Sequence, residues 1–131
     1  MKERVKLIAL VLAALALAGC GDSHDSAMSD MIAAMEELNT VLDGVKDEPS
    51  AKAAVPKIEA LTRQLQAIGQ RVEKLGEPSE AKQKELMAQY GKRMEQLGPK
   101  IAGNMMRIST NPKIAGHLQA PMMEMNRIMV K

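Results

Sequence analysis

Apolar side chains between residues 31 and 129 recur at alternating spacings of three and four residues. This interval places them on one face of an α-helix, and its alternation is typical of helices that pack side by side. No segment alternates with the period of two that a half-buried strand requires. Four stripes follow one another: Met31, Met35, Leu38, Leu42 and Val45; Ile58, Leu61, Leu65, Ile68, Val72 and Leu75; Leu86 or Met87, Tyr90, Met94, Leu97, Ile101, Met105 and Ile108; and Ile114, Leu118, Met122, Met125 and Met129.

Turn-forming residues separate the stripes and predict where each helix begins and ends. Ser29 or Asp30 is expected to cap the first helix, because a short polar side chain satisfies the free amides there. Gly44 and residues 47–49 end that helix, and residues 76–78, which read Gly-Glu-Pro, end the second. Residues 111–112, which read Asn-Pro, predict an N-cap followed by proline at the first helical position.

Three prolines fall inside the stripes and are expected to interrupt them, because proline lacks an amide donor and clashes with the preceding turn. Ser50 is a plausible cap for the second helix, but Pro56 indicates either a later start or a kink. Residues 98–99, which read Gly-Pro, should kink or divide the third helix, and Pro121 should bend or break the last.

The pattern therefore predicts an all-α protein, a small antiparallel helical bundle of three to four helices. Leu38 and Leu65 are expected in its core. A three-helix core with the last helix folded over one end is an alternative, and so is a helical hairpin that dimerises.

The N-terminal segment has the layout of a secretory signal. Lys2, Arg4 and Lys6 precede an uncharged apolar run over residues 7–17, which is shorter than the roughly 20 residues of a membrane-spanning helix. Residues 17–20 read Leu-Ala-Gly-Cys and resemble the lipobox of bacterial lipoproteins.

This resemblance implies that Cys20 carries a covalent lipid and that the chain is cleaved before it. The expected organisation is a signal peptide over residues 1–19, a lipidated tether over residues 20–27 and a helical bundle domain over residues 28–131. Gly21 favours the outer membrane in that family, and the bundle would face the periplasm. The membrane is thus an expected partner through the lipid anchor.

Removal of the leader changes the charge of the chain. The sequence has 18 basic and 16 acidic residues, and the leader contains three of the bases and one of the acids, which leaves 15 of each. This balance gives no support for nucleic-acid binding. Residues 20–50 are strongly acidic and residues 51–131 equally basic, so we expect an acidic first helix to pack beside basic neighbours. Without a second cysteine, an intramolecular disulfide is excluded.

The C-terminal part is rich in methionine, whose thioether is a soft ligand for Cu(I). The candidate metal ligands are Met105, Met106, His117, Met122, Met123 and Met125. The alternative is that methionine fills the core of a chain that lacks Phe and Trp. Because Met122 and Met123 point to different helix faces, at least one methionine is expected on the surface.

Catalytic chemistry has no recognisable signature in the sequence. His24 and His117 do not have the spacing of a zinc site, and His24 is expected in the tether. Glu36 and Glu37 are adjacent, so on a helix they diverge by about 100° and cannot act together as acid and base. The sequence therefore predicts a non-enzymatic protein without a resident cofactor.

Residues 35–39, which read Met-Glu-Glu-Leu-Asn, with Leu42 following, resemble the first helix of periplasmic b-type cytochromes that form four-helix bundles. That family binds haem through a methionine on the first helix and a histidine near the end of the last. Met35 would take the methionine position, but residues 125–129 contain no histidine and His117 lies near the start of the last helix. The chain is also similar to small uncharacterised helical envelope lipoproteins.

The function expected from the sequence is a structural or partner-binding role in the cell envelope, with a protein partner or self-association. The Met-rich C-terminal helix is the expected binding face, because flexible thioethers adapt to different contacts. Cu(I) binding through the methionine cluster is the alternative.

Overall fold

A computed structural model describes residues 22–130, which form four α-helices and no strand. The helices are α1 (His24–Asp43), α2 (Glu48–Leu75), α3 (Glu80–Ser109) and α4 (Pro112–Met129). The prediction of a small antiparallel all-α bundle is confirmed, with four helices. The predicted signal peptide, the first residues of the predicted tether and the predicted lipidation site Cys20 lie outside the described residues.

The first helix begins earlier than predicted. Ser23 is its N-cap, and Ser23 and Ser26 form a reciprocal capping box in which each hydroxyl accepts from the other residue's amide at 3.1 Å. Ala27 is only 1% exposed. The prediction of a tether reaching residue 27, with a cap at Ser29 or Asp30, was therefore wrong, because the first turn buries only an alanine and leaves no large apolar signal.

The second helix also begins before its predicted start. Asp47 is the N-cap and accepts from the amide of Ser50 at 2.9 Å, while the Ser50 hydroxyl accepts from the amide of Asp47. Ser50 thus completes the capping box rather than forming the cap itself. At the other end of α2, Gly76 adopts φ +72°, which a residue with a side chain rarely adopts.

None of the prolines at positions 56, 99 and 121 divides its helix. Each costs a backbone hydrogen bond, but the apolar stripe continues to pack on both sides of it. Ala54 and Ile58 are buried around Pro56, and Pro121 is itself buried in α4. Tertiary packing therefore offsets the local preference for a break.

Consecutive helices run in opposite directions. The Nε2 atom of His24 lies 2.9 Å from the carbonyl oxygen of Gly76, so the beginning of α1 is beside the end of α2. His24 is consequently a bundle residue and not part of a tether. We call this end of the bundle, where α1 and α3 begin and α2 ends, the proximal end. The shorter α4 stops before it, with Ile128 near Thr62 and Gln66 of α2. The opposite end, with the turns at residues 44–47 and 110–111, is the distal end.

The most extensive helix–helix contacts join helices that run parallel, α2 with α4 and α1 with α3. Lys82 near the start of α3 pairs with Asp25 near the start of α1, and His117 in α4 lies against Glu48 at the start of α2. Around the bundle the helices follow the order α3, α1, α2, α4, and α3 contacts α4 less extensively than α1. The alternative in which the last helix covers one end does not apply, since α4 runs along α2.

The core consists of two clusters of buried side chains. The larger lies among α1, α2 and α4 and includes Ile108 from the end of α3, and a smaller cluster of Ile32, Leu86, Tyr90 and Leu97 joins α1 to α3. Leu38 and Leu65 are buried, as predicted. The first helix thus buries two faces, and Ile32, which lies outside the predicted stripe, belongs to the second.

The expected pairing of an acidic N-terminal segment with basic neighbours is confirmed. Ion pairs join Asp22 to Arg71 at 3.0 Å, Asp30 to Arg71 at 2.6 Å, Asp25 to Lys82 at 2.6 Å and Glu36 to Arg93 at 2.7 Å. Hydrogen bonding to Asp30 raises the pKa of Arg71, and hydrogen bonding to Asp25 raises that of Lys82. Exposed pairs of this kind add little stability but favour one arrangement of the helices.

Candidate functional site

The most distinctive surface feature of the distal end is an apolar groove where α3 turns into α4. Asn111 caps α4 through its side-chain oxygen, which accepts from the amide of Lys113 at 3.2 Å, and Pro112 occupies the first turn. The short turn brings the last residues of α3 beside the first turns of α4, and the end of α1 lies behind them. Local capping chemistry therefore positions the walls of the groove.

We call this feature the methionine groove, because Met105 and Met122 are among its lining residues. It encloses about 470 Å³. Its lining is mostly apolar and consists of Leu42, Met105, Ile108, Ser109, Pro112, Ala115, Gly116, Leu118, Gln119 and Met122. The hydroxyl of Ser109 donates to the carbonyl oxygen of Met106 at 2.8 Å, so it is committed to the helix end. A volume of this size and an apolar lining suit an apolar group of a ligand or partner.

A hydrogen-bond network supports the groove from the side of α1. The buried Nδ2 of Asn104 donates to Asp43 Oδ1 at 2.7 Å and to Asn39 Oδ1 at 3.1 Å. Arg107 donates to the carbonyl oxygens of Leu42 and Val45 at the end of α1. This network fixes α3 against α1 immediately below the groove.

Sequence reasoning missed both network residues, because Asn104 and Arg107 read as ordinary polar positions of a helix. A weak signal was present: the last turn of α1 has no basic residue of its own to meet its free carbonyl groups. The donor came from a residue more than 60 positions away in the sequence.

The candidate metal ligands are dispersed, and only some share a site. Met105 and Met122 line the methionine groove from α3 and α4. Met125 is 1% exposed and belongs to the core, as the packing alternative predicts. Met106 and Met123 are 71% and 64% exposed, which agrees with the expectation that at least one methionine is on the surface.

His117 is held by an acidic neighbour rather than by methionine. Its Nε2 atom lies 2.9 Å from Oε1 of Glu48, which also accepts from Lys52 at 3.3 Å. Hydrogen bonding to His117 and Lys52 lowers the pKa of Glu48. Among residues 22–130, no cluster of three or more His, Cys, Asp or Glu side chains could hold a metal ion.

The two positions suggested by the cytochrome resemblance face different surroundings. Met35 packs against the cluster that joins α1 to α3, whereas His117 contacts the start of α2 at the distal end. Asn39 from the same motif accepts from Asn104 in the network below the groove. The motif residues thus take part in helix packing.

Within residues 22–130, none of the helices combines the length and the apolar character needed to cross a bilayer. Searches against protein-family models, curated proteins and solved structures find no match to this chain.

Proposed function

We propose that this protein is a lipid-anchored, non-enzymatic component of the cell envelope that binds an apolar segment of a partner protein in the methionine groove. The anchor is the lipid on Cys20, and the membrane is the outer membrane, with the bundle on its periplasmic side. The lipobox at residues 17–20 supports the anchor and the location.

The observation that carries the binding role is the apolar lining of the groove, with Met105 and Met122 on facing helices. Methionine has three rotatable bonds and a polarisable sulfur, so such a surface can adapt to an inserted side chain. An amphipathic helix of a partner is the segment that this kind of groove receives best. The groove is at the distal end, where α1 ends.

Photocrosslinking in intact cells tests this proposal. A photoreactive amino acid replaces Met105 in the groove, and in a matched control it replaces Met87, which is 70% exposed on the same helix but outside the groove. We expect an adduct of defined mass from position 105 and none from position 87.

A blocking variant shows whether the adduct depends on the groove. Gly116 lines it, and a side chain added there meets no atom within 4 Å, so Gly116→Leu places an isobutyl group in the free space. Gly103→Leu on α3 is the matched control, because it has the same free space and lies outside the lining. The proposal is wrong if Gly116→Leu leaves the adduct at position 105 unchanged.

A second candidate function is binding of Cu(I), and the shared position of Met105 and Met122 in one groove favours it. Thioether ligands from facing helices suit this soft ion. Anaerobic titration with a competing chelator separates the two functions. If the variants Met105→Leu and Met122→Leu retain the copper affinity of the wild type, the copper hypothesis is excluded.

A further inference from the structure

The short last helix leaves part of the bundle without a fourth layer. α4 ends at Met129, with Ile128 beside Gln66 of α2, whereas α2 continues to Leu75. Among the described helices, α2 contacts α1 and α4 but not α3. Beyond Gln66, the inner side of α2 therefore faces α1 with no further helix across it.

A cavity of about 800 Å³ occupies this level, and we call it the short-helix cavity. Three helices contribute its apolar lining, which consists of Met31, Met35, Leu65, Val72, Ile128 and Met129. Gln66, Gln70 and Glu73 also border it and are exposed, so its rim is polar. Apolar walls with a polar rim suit an apolar ligand, and flexible methionine side chains adapt to its shape.

One end of the short-helix cavity lies close to the proposed lipid site. Val72 and Glu73 line the cavity from the last turn of α2, and the preceding residue, Arg71, donates to Asp22 at 3.0 Å. Only Gly21 separates Asp22 from Cys20, so at most about 7 Å of chain joins these two residues. A lipid on Cys20 would therefore begin near the end of α2.

The length of an acyl chain matches the path through the cavity. Two acyl chains, one from each leaflet, form the hydrocarbon core of a bilayer, which is about 30 Å thick, so one chain spans about 15 Å. The lining of α2 from Glu73 to Leu65 covers about 12 Å along the helix axis. A chain that enters beside Glu73 can thus lie along the whole cavity as far as the end of α4.

The lipid needs such a site whenever the protein is in water. The outer-membrane location proposed above requires the lipidated protein to cross the aqueous periplasm, where every exposed methylene group of an acyl chain is unfavourable. Attachment at Cys20 also gives the chain an effective concentration on the order of millimolar at the cavity, so even modest affinity fills it.

We propose that the short-helix cavity binds one acyl chain of the lipid on Cys20 while the protein is away from the bilayer. The inference rests on the proposed lipid anchor and gives the lipid a second site, on the protein itself. Binding covers the apolar side chains that the short α4 leaves open, and insertion into the outer membrane releases the chain to the bilayer.

A photoreactive acyl chain attached at Cys20 tests this proposal. Cys20 is the only cysteine of the chain, so the mature protein, residues 20–131, can be alkylated there with a hexadecyl group that carries a terminal diazirine. Irradiation in detergent-free buffer is followed by peptide mass spectrometry, and a mixture with isotope-labelled protein identifies adducts between copies. We expect adducts within one chain, at residues 31–35, 65–73 and 127–129.

A filled cavity provides the matched comparison. Gly69 lines the short-helix cavity, and a side chain added there meets no atom within 4 Å, so Gly69→Leu occupies part of its space. Gly103→Leu on α3 has the same free space and lies outside this lining. We expect Gly69→Leu to reduce the adducts several-fold and Gly103→Leu to leave them unchanged. Circular dichroism verifies the helical content of both variants.

Thermal denaturation gives a second readout, because a chain that binds only the folded state stabilises it. The hexadecyl group should raise the Tm by several degrees relative to an ethyl group on Cys20, and Gly69→Leu should remove most of this rise. Adducts between copies or outside the cavity in the unsubstituted protein would overturn the proposal, and so would adducts that Gly69→Leu leaves unchanged.

These outcomes are separate from those for the anchor, because the acyl chain is attached chemically. If the intact mass of the cellular protein shows no lipid on Cys20, the anchor is wrong and the cavity loses its proposed occupant. If Cys20 is lipidated in cells but the attached chain does not reach the cavity, this inference alone is wrong.

Discussion

Arg107 on α3 donates a hydrogen bond to the carbonyl oxygen of Leu42 on α1 at 2.8 Å. The same guanidinium donates to the carbonyl oxygen of Val45 at 2.6 Å. The last turn of α1 contains no basic residue, so a side chain from another helix meets its free carbonyl groups. This interaction fixes α1 against α3 and thereby forms the base of the methionine groove.

Loss of this cap should destabilise the bundle. We expect Arg107→Ala to lower the free energy of unfolding by about 1–2 kcal/mol, because charge-assisted hydrogen bonds to the helix end are lost. Lys100→Ala, at an exposed position of the same helix, is the control and should change it by less than about 0.5 kcal/mol. Urea denaturation measures both, and equal effects would contradict the capping role.

Substitutions in the core should lower the free energy of unfolding more than Arg107→Ala does. Leu38→Ala and Leu65→Ala should each lower the free energy of unfolding by about 2–5 kcal/mol, since both side chains are buried. The loss at Leu38 should be at least as large as the loss at Leu65, because Leu65 already borders a cavity beside the end of α4. A loss of only a few tenths of a kcal/mol at either position would show that the helix faces are assigned incorrectly.

Three glycines give a matched test of backbone conformation. Gly103→Ala and Gly116→Ala should each raise the free energy of unfolding by about 0.5–1 kcal/mol, because both lie in helices and have free space for a methyl group. Gly76→Ala should lower it by about 1 kcal/mol, because its φ of +72° disfavours a side chain. Thermal and urea denaturation measure the three variants, and the same sign at Gly76 and Gly103 would refute this assignment.

The contact between Glu48 and His117 predicts a pH dependence. The pKa of Glu48 is lowered from its ordinary value of 4.5, chiefly by hydrogen bonds from His117 and Lys52. A lowered carboxyl pKa contributes stability above the ordinary value, and this contribution is lost as the pH falls through the lowered value. Between about pH 7 and about pH 3, Glu48→Gln should therefore lose less stability than the wild type.

The control for this pH experiment is Glu59→Gln on the exposed surface of the same helix. Its pH profile should follow that of the wild type more closely than the profile of Glu48→Gln does. If Glu48→Gln and the wild type lose stability in parallel, the interaction with His117 does not contribute to folding.

The sequence predicted a bundle of three to four helices, their apolar faces and the acidic-to-basic pairing, because each depends on spacing or on charge along the chain. It misplaced the start of α1, where a small alanine occupies the buried position. It left open whether each of the three prolines kinks or divides its helix, and none divides it, because packing in the assembled bundle offsets the local cost. Helix periodicity is a strong local signal, whereas the strength of tertiary packing is not local.

The candidate site was predicted less completely. The sequence identified Met105 and Met122, but it grouped them with Met125, which the fold buries in the core. It missed Asn104 and Arg107 altogether, since their partners are contributed by the end of a different helix. Which methionines share a groove depends on how α3 and α4 meet at a two-residue turn, and no periodicity contains that information.

The intact mass of the protein extracted from cell envelopes tests the central claim, the lipid anchor, most directly. We expect a chain that begins at Cys20 and carries the mass of a diacylglyceryl group and an N-linked acyl chain, and Cys20→Ser should abolish this mass and release the protein from the membrane fraction. A chain that retains residues 1–19, or one that begins elsewhere and carries no lipid, would contradict the account.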